Sequence, residues 1–176
     1  RGMTDTQKKP LWKNELVWLF LLTSGLFAIL YSKFILGGYA YVFTDTGADT
    51  MQINYAQYGL FSSLFRSGES GYVLQAGLGM DVSSYYPAYL IPYNLLILLA
   101  PQRLLPWAVL ASAYLKMITI SLVGYLFYRK LMQDGIGTMA AALAWTFSGY
   151  VILWGQHYGF CTCMALFTVF MYFLQC

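Results

Sequence analysis

The chain reads as an all-α, polytopic transmembrane fold, with about four spanning helices and two juxtamembrane helices in a first outer loop. Three observations predict it. Hydrophobic residues make up 59% of the 176 positions and charged residues only 10%, against roughly 25% charged in soluble domains. The apolar residues gather into runs, nearly free of charge, close to the roughly 20 residues that ~30 Å of hydrocarbon requires at 1.5 Å rise each. Lysine and arginine sit at the ends of those runs, so the net charge of +3 concerns orientation. No basic stripe interleaved with stacking aromatics is present, which excludes nucleic acid as a partner class.

Residues 1–15 form a polar segment in which Lys8, Lys9 and Lys13 flank Pro10 and Trp12. The positive-inside bias assigns it to the cytoplasm. Residues 16–36 are the first spanning candidate. No small-residue cleavage site follows, so the run reads as a signal anchor and not as a removable signal peptide. Lys33 near its far end can snorkel to the headgroups. Residues 16–176 then form one transmembrane module. Arg1 and Gly2 precede Met3, and the chain stops at Cys176 inside an apolar run, a pattern from which we expect a longer intact protein.

Residues 37–103 are predicted to be the outer loop, where Asp45, Asp49, Arg66, Glu69 and Asp81 appear among glycines. Between Asp49 and Phe65, the positions Met51, Tyr55, Tyr58, Phe61, Leu64 and Phe65 recur near helical spacing, which predicts an amphipathic surface helix ended by Arg66-Ser67-Gly68. The apolar stretch 88–100 is only 13 residues long, contains Pro92 and is bounded by Pro87 and Pro101. If it crossed the bilayer, the next helix would deliver Arg129 and Lys130 outside, so it is assigned to the outer interface. Further spans follow at about 104–128, 136–154 and 160–176. The break between the last two is Gly155-Gln156-His157-Tyr158-Gly159.

Asp45 and Asp49 are candidate catalytic carboxylates. Two acids just outside the first span suit a general base, or a metal ligand, acting on a sugar or phosphate at the membrane surface. Asp49 with Gln52 three residues later also fits a helix cap, and a capped helix start can still offer its N–H groups to phosphate. Lys116 falls near the middle of an apolar span, where an ionisable group costs roughly 2.5 to 3.5 kcal/mol on insertion scales and normally meets a partner or a wet cavity. His157, the one histidine, lies in the outer turn and could hydrogen-bond a phosphate. Tyr85 and Tyr86 are interface-belt aromatics that could also stack on a sugar or lie along an isoprenoid tail.

Other patterns carry no chemistry. Cys161, Cys163 and Cys176 have no disulfide framework or zinc spacing, and His157 with Cys161 makes too small a ligand set for a metal. Residues Gln75 to Asp81 lack the third glycine and the strand-to-helix context of a dinucleotide fingerprint. No cofactor is expected, although a divalent cation is compatible with the acidic pair. There is no repeat of 20 to 50 residues.

The order of these features resembles the bacterial YfhO family, within the GT-C class of polyprenyl-phosphate-sugar-dependent glycosyltransferases. The resemblance covers roughly residues 16–176. It is carried by Asp49, Gln57-Tyr58, the turn Gly77 to Asp81, Tyr85-Tyr86, Pro92 to Leu95, Lys116, Phe147 to Tyr150 and Gly155-Gln156-His157. It implies a GT-C-like N-terminal module, with an outer-loop aspartate as catalytic base, a role that falls on Asp49 with Asp45 second. It also implies inverting transfer of a sugar from a polyprenyl-phosphate carrier to a cell-wall polymer, such as lipoteichoic acid, or a glycolipid. Gln52, Gln57, Lys116, His157, Tyr85 and Tyr86 are then the candidate substrate-binding residues. Two other readings of the same residues are a lipid or polysaccharide transporter, in which Asp49 and Lys116 bind or gate a substrate, and a non-catalytic membrane subunit.

Overall fold

A computed structural model of the chain describes residues 14–43, 50–69, 71–74, 79–81, 83, 91–132 and 134–175. It is mostly helical. Asn14 opens α1 (Glu15–Leu30), its side chain accepting the Leu16 N–H at 3.0 Å. The helix breaks at Tyr31 and resumes as α2 (Ser32–Leu36). A π-helical turn, Thr50–Tyr55, leads into α3 (Ala56–Ser67), which ends where Gly68 takes the left-handed conformation (φ 71°) that favours glycine. Two short strands, β1 (Tyr72–Val73) and β2 (Met80–Asp81), pair antiparallel with Tyr72 opposite Asp81.

After α4 (Pro92–Leu99) and a 3-10 turn at Gln102–Leu104, the chain enters the long α5 (Leu105–Leu131). Asp134 caps α6 (Gly135–Thr146) by accepting the N–H groups of Ile136 and Gly137. A second break at Phe147 and Ser148 precedes α7 (Gly149–Trp154), and α8 (Gly159–Leu174) closes the described structure.

α5 is the centre, packed against α1, α4, α6 and α8. The helices alternate in direction. Glu15 at the start of α1 accepts a hydrogen bond from Tyr125 near the end of α5, while Ser24 and Phe27 further along α1 meet Tyr114. α6 and α8 join through Trp145 Nε1, which donates to Thr168 Oγ1 at 3.0 Å. That pair packs on α5 beside Gly124, where a Cβ would make ordinary contact with the Trp145 ring at 3.6 Å and with Thr168 at 3.8 Å. One end of the bundle carries Glu15, Arg129, Lys130 and Asp134; the other carries α3, α4 and the hairpin.

Two helical stretches are long and apolar enough to cross a membrane: Gln102–Leu131, with 30 residues, and Gly135–Trp154, with 20. Glu15–Leu30 and Gly159–Leu174 are apolar but shorter. The expected span at 16–36 is two helices meeting at Tyr31, and the one at 136–154 is interrupted at Phe147 and Ser148. Among the described residues of the stretch expected at the interface, the helix is the eight-residue α4, about 12 Å long, too short to cross. Large apolar side chains face outward on α1 (Trp18, Leu21, Ile29) and α8 (Phe167, Phe170, Phe173). Water would penalise so broad an apolar rind.

Candidate functional site

Lys116 lies eleven residues into α5 and is only 2% exposed. Its ammonium donates to the carbonyl oxygen of Tyr158 at 3.1 Å, and the Thr162 hydroxyl donates to that same oxygen at 3.2 Å. Among the described residues no carboxylate pairs with Lys116. Beside it is a chamber of about 10 Å³, also lined by Ser112 one helical turn earlier, whose hydroxyl is buried and has no hydrogen-bond partner among the described residues.

Tyrosines roof this chamber. The Tyr158 ring stacks on Tyr58, with centroids 5.3 Å apart and planes 17° from parallel, and its hydroxyl donates to the Tyr41 carbonyl. Tyr41 meets Tyr31 edge-on at 5.2 Å, and Tyr31 stacks on Phe27 at 4.3 Å. Tyr58 in turn donates to Asn94 Oδ1 at 3.3 Å, which ties α3 to α4. Burial pushes the phenols of Tyr158 and Tyr41 well above their ordinary value, because a phenolate there would lose its hydration.

On the other side of Tyr31 runs a groove of about 550 Å³ between the α1–α2 junction and α7. Its walls are mostly apolar, among them Leu30, Phe34, Phe43 and Ile152, and Trp154 and Gln156 also line it. Tyr31 lines both the groove and the lysine chamber. The turn at 155–159 therefore adjoins both spaces. It is also tied to the loop, since buried Thr50 donates its hydroxyl to the Gln156 carbonyl at 3.4 Å. Gly155 permits this turn, because a Cβ there would collide with the Val151 carbonyl oxygen.

The expected site residues separate into three groups. Asp45, Asp49, Tyr85 and Tyr86 lie outside the described residues. Lys116 lines the chamber, whereas His157 is on the 155–159 turn and lines neither the chamber nor the groove. The lysine is enclosed beneath the Tyr158 carbonyl, whereas the half-buried His157 ring lies 5.7 Å from Trp154 and 5.8 Å from Phe160. Gln52 is exposed on the π-helical turn and Gln57 is half-buried on α3; neither lines the groove or the chamber. Among the described residues no three metal-ligating side chains come together.

Sequence reasoning did not single out Tyr158, Tyr41, Tyr31 or Ser112 as site residues, and named Tyr58 only on the helix face and within Gln57-Tyr58. The chain has 16 tyrosines, and an aromatic in an apolar run looks alike whether it faces lipid or a neighbouring helix. The one usable signal was local: Tyr158 follows His157 in a glycine-bounded turn. No family model, curated relative or solved structure matches the chain.

Proposed function

We propose that the chain is the N-terminal module of a multi-pass membrane glycosyltransferase, moving a sugar from a polyprenyl-phosphate carrier to an extracytoplasmic cell-wall or lipid-linked acceptor. In this reading α1 with α2, α5, α6 with α7, and α8 are the four spans, and the outward apolar side chains of α1 and α8 meet lipid. The end bearing Arg129 and Lys130 is cytoplasmic, as the positive-inside bias requires.

The observation that best supports an outer-face site is the hydrogen bond from Thr50 to the Gln156 carbonyl. Thr50 directly follows the segment 44–49 with its two acids, and Gln156 adjoins His157. The apolar groove beside that turn suits the hydrocarbon part of a carrier lipid, since its volume lies within the usual range of ligand pockets. The type of reaction rests on the resemblance stated above.

In the reaction, the Asp49 carboxylate takes the proton of the acceptor hydroxyl as its oxygen attacks the anomeric carbon from the face opposite the phosphate. The bond from anomeric carbon to phosphate oxygen breaks with inversion, and polyprenyl phosphate leaves with the electron pair. Tyr85 and Tyr86 stack on the sugar or chain, and Gln52, Gln57 and His157 contribute hydrogen bonds. Asp45 is the second candidate base.

The test is sugar transfer from a polyprenyl-phosphate donor in membranes, comparing wild type with Asp49→Asn and Asp45→Asn at matched expression. Asp49→Asn should lower transfer about 10²- to 10⁴-fold, the usual contribution of a general base, while donor binding persists. Wild-type rates from both variants would remove the base assignment. A transporter is the second reading, favoured by an enclosed ionisable residue within a helix bundle. It predicts loss of lipid translocation with no glycoside formed by any variant.

A further inference from the structure

We infer that Lys116 is a positioning residue, whose ammonium clamps the Tyr158 carbonyl and thereby fixes the 155–159 turn, with Gln156 and His157 on it, against Thr50. The clamp stands on geometry alone. Its consequence for catalysis rests on the glycosyl-transfer reading.

An ammonium facing an anionic headgroup needs access, and Lys116 has none. It is 2% exposed, and the chamber beside it, at about 10 Å³, admits nothing larger than a water molecule. A phosphate cannot enter. Its one protein acceptor among the described residues is Tyr158 O, at 3.1 Å, which also receives the Thr162 hydroxyl at 3.2 Å. A carbonyl taking two donors, one of them charged, is held more firmly than one with a neutral partner.

What that carbonyl belongs to gives the clamp its reach. Tyr158 stacks its ring on Tyr58 of α3 and donates its hydroxyl to Tyr41 ahead of the acidic segment. Two residues earlier, Gln156 O accepts from Thr50 just beyond that segment. The turn therefore bridges both flanks of residues 44–49. Lys116 anchors it from the opposite side, out of the deepest part of the bundle. Loosening the anchor frees the turn without removing any group that touches substrate.

Two neutral variants separate this role from direct binding of the donor phosphate. Lys116→Met fills similar volume and donates nothing, whereas Lys116→Gln retains N–H donors without charge. Both remove a buried charge, which eases insertion of the helix. Hydrogen exchange is read by mass spectrometry on the protein in lipid nanodiscs, and donor KM and kcat are read in the transfer assay.

Lys116→Met should raise exchange across 155–160 by about tenfold, the scale of one lost hydrogen bond, with exchange in the α1–α5 contact unchanged. Lys116→Gln should recover most of that protection. In transfer, Lys116→Met should lower kcat with donor KM little changed, and Lys116→Gln should restore it in part. Unchanged exchange at the turn, or a rise spread evenly over the bundle, overturns the clamp. So does equal loss of transfer in both variants with a raised donor KM, which would make Lys116 a ligand of the phosphate. If wild type transfers no sugar, the glycosyl-transfer reading fails, and the exchange measurement still decides the clamp.

Discussion

Tyr158 engages its carbonyl with α5 and α8, its ring with α3 and its hydroxyl with the segment after α2. Its phenol and that of Tyr41 are pushed up by burial, so the folded state favours the neutral forms beyond the ordinary tyrosine value of ~10. Such groups contribute stability that is complete below that value and is lost as pH rises beyond it, because tyrosines in the unfolded chain release protons that these two keep. The melting temperature should hold steady from about pH 7 to 9 and fall above about pH 10, and Tyr158→Phe should flatten that fall. Thermal unfolding in detergent across this range checks it. At this scale the sequence disclosed Lys116, because a cation in an apolar run is conspicuous. Its partner was hidden, since a backbone carbonyl leaves no mark in a sequence and Tyr158 is 42 positions away.

Among elements, the helices within 16–36, 104–128, 136–154 and 160–176 were legible because apolar length is a coarse signal. The breaks at Tyr31 and Phe147 were not, since neither carries a proline to announce it. The hairpin escaped because two-residue strands have no alternation to read. The expectation that 88–100 lies at the outer interface rested on its short length and on Arg129 and Lys130, which belong to a different helix. Packing between helices was also invisible, although it is where polar side chains matter most. Thr23 on α1 and Ser121 on α5 share a hydrogen bond of 2.7 Å, both fully buried. Removing one hydroxyl by Thr23→Val should destabilise the α1–α5 contact by about 0.6 to 1.7 kcal/mol, the range for such bonds in membranes. Adding Ser121→Ala should recover part of that loss, as unfolding in mixed micelles would register.

For the whole molecule, one end gathers Glu15, Arg129, Lys130 and Asp134 while the other holds α3, α4, the hairpin and the 155–159 turn. With the first end cytoplasmic, a cysteine introduced at Glu69 should react with an impermeant thiol reagent added outside intact cells. One at Asp134 should react only after the membrane is opened. The reverse pattern would invert the topology and move the candidate site to the cytoplasm. The sequence supported this alternation through the placement of its lysines and arginines. It could not reveal that α5 would be the common neighbour of α1, α4, α6 and α8, because that depends on which faces interlock.

The central place of α5 bears on biogenesis. Thr23 and Ser24 sit side by side on α1, and their partners Ser121 and Tyr114 arrive 98 and 90 residues later. At a synthesis rate of roughly 5–20 residues per second, the first helix is made about 5 to 20 seconds before the hydroxyl groups that bond it. Throughout that interval Ser24 has only the Phe20 carbonyl of its own helix to bond, and the ribosome's pace sets how long the hydroxyls of α1 wait for their partners on α5.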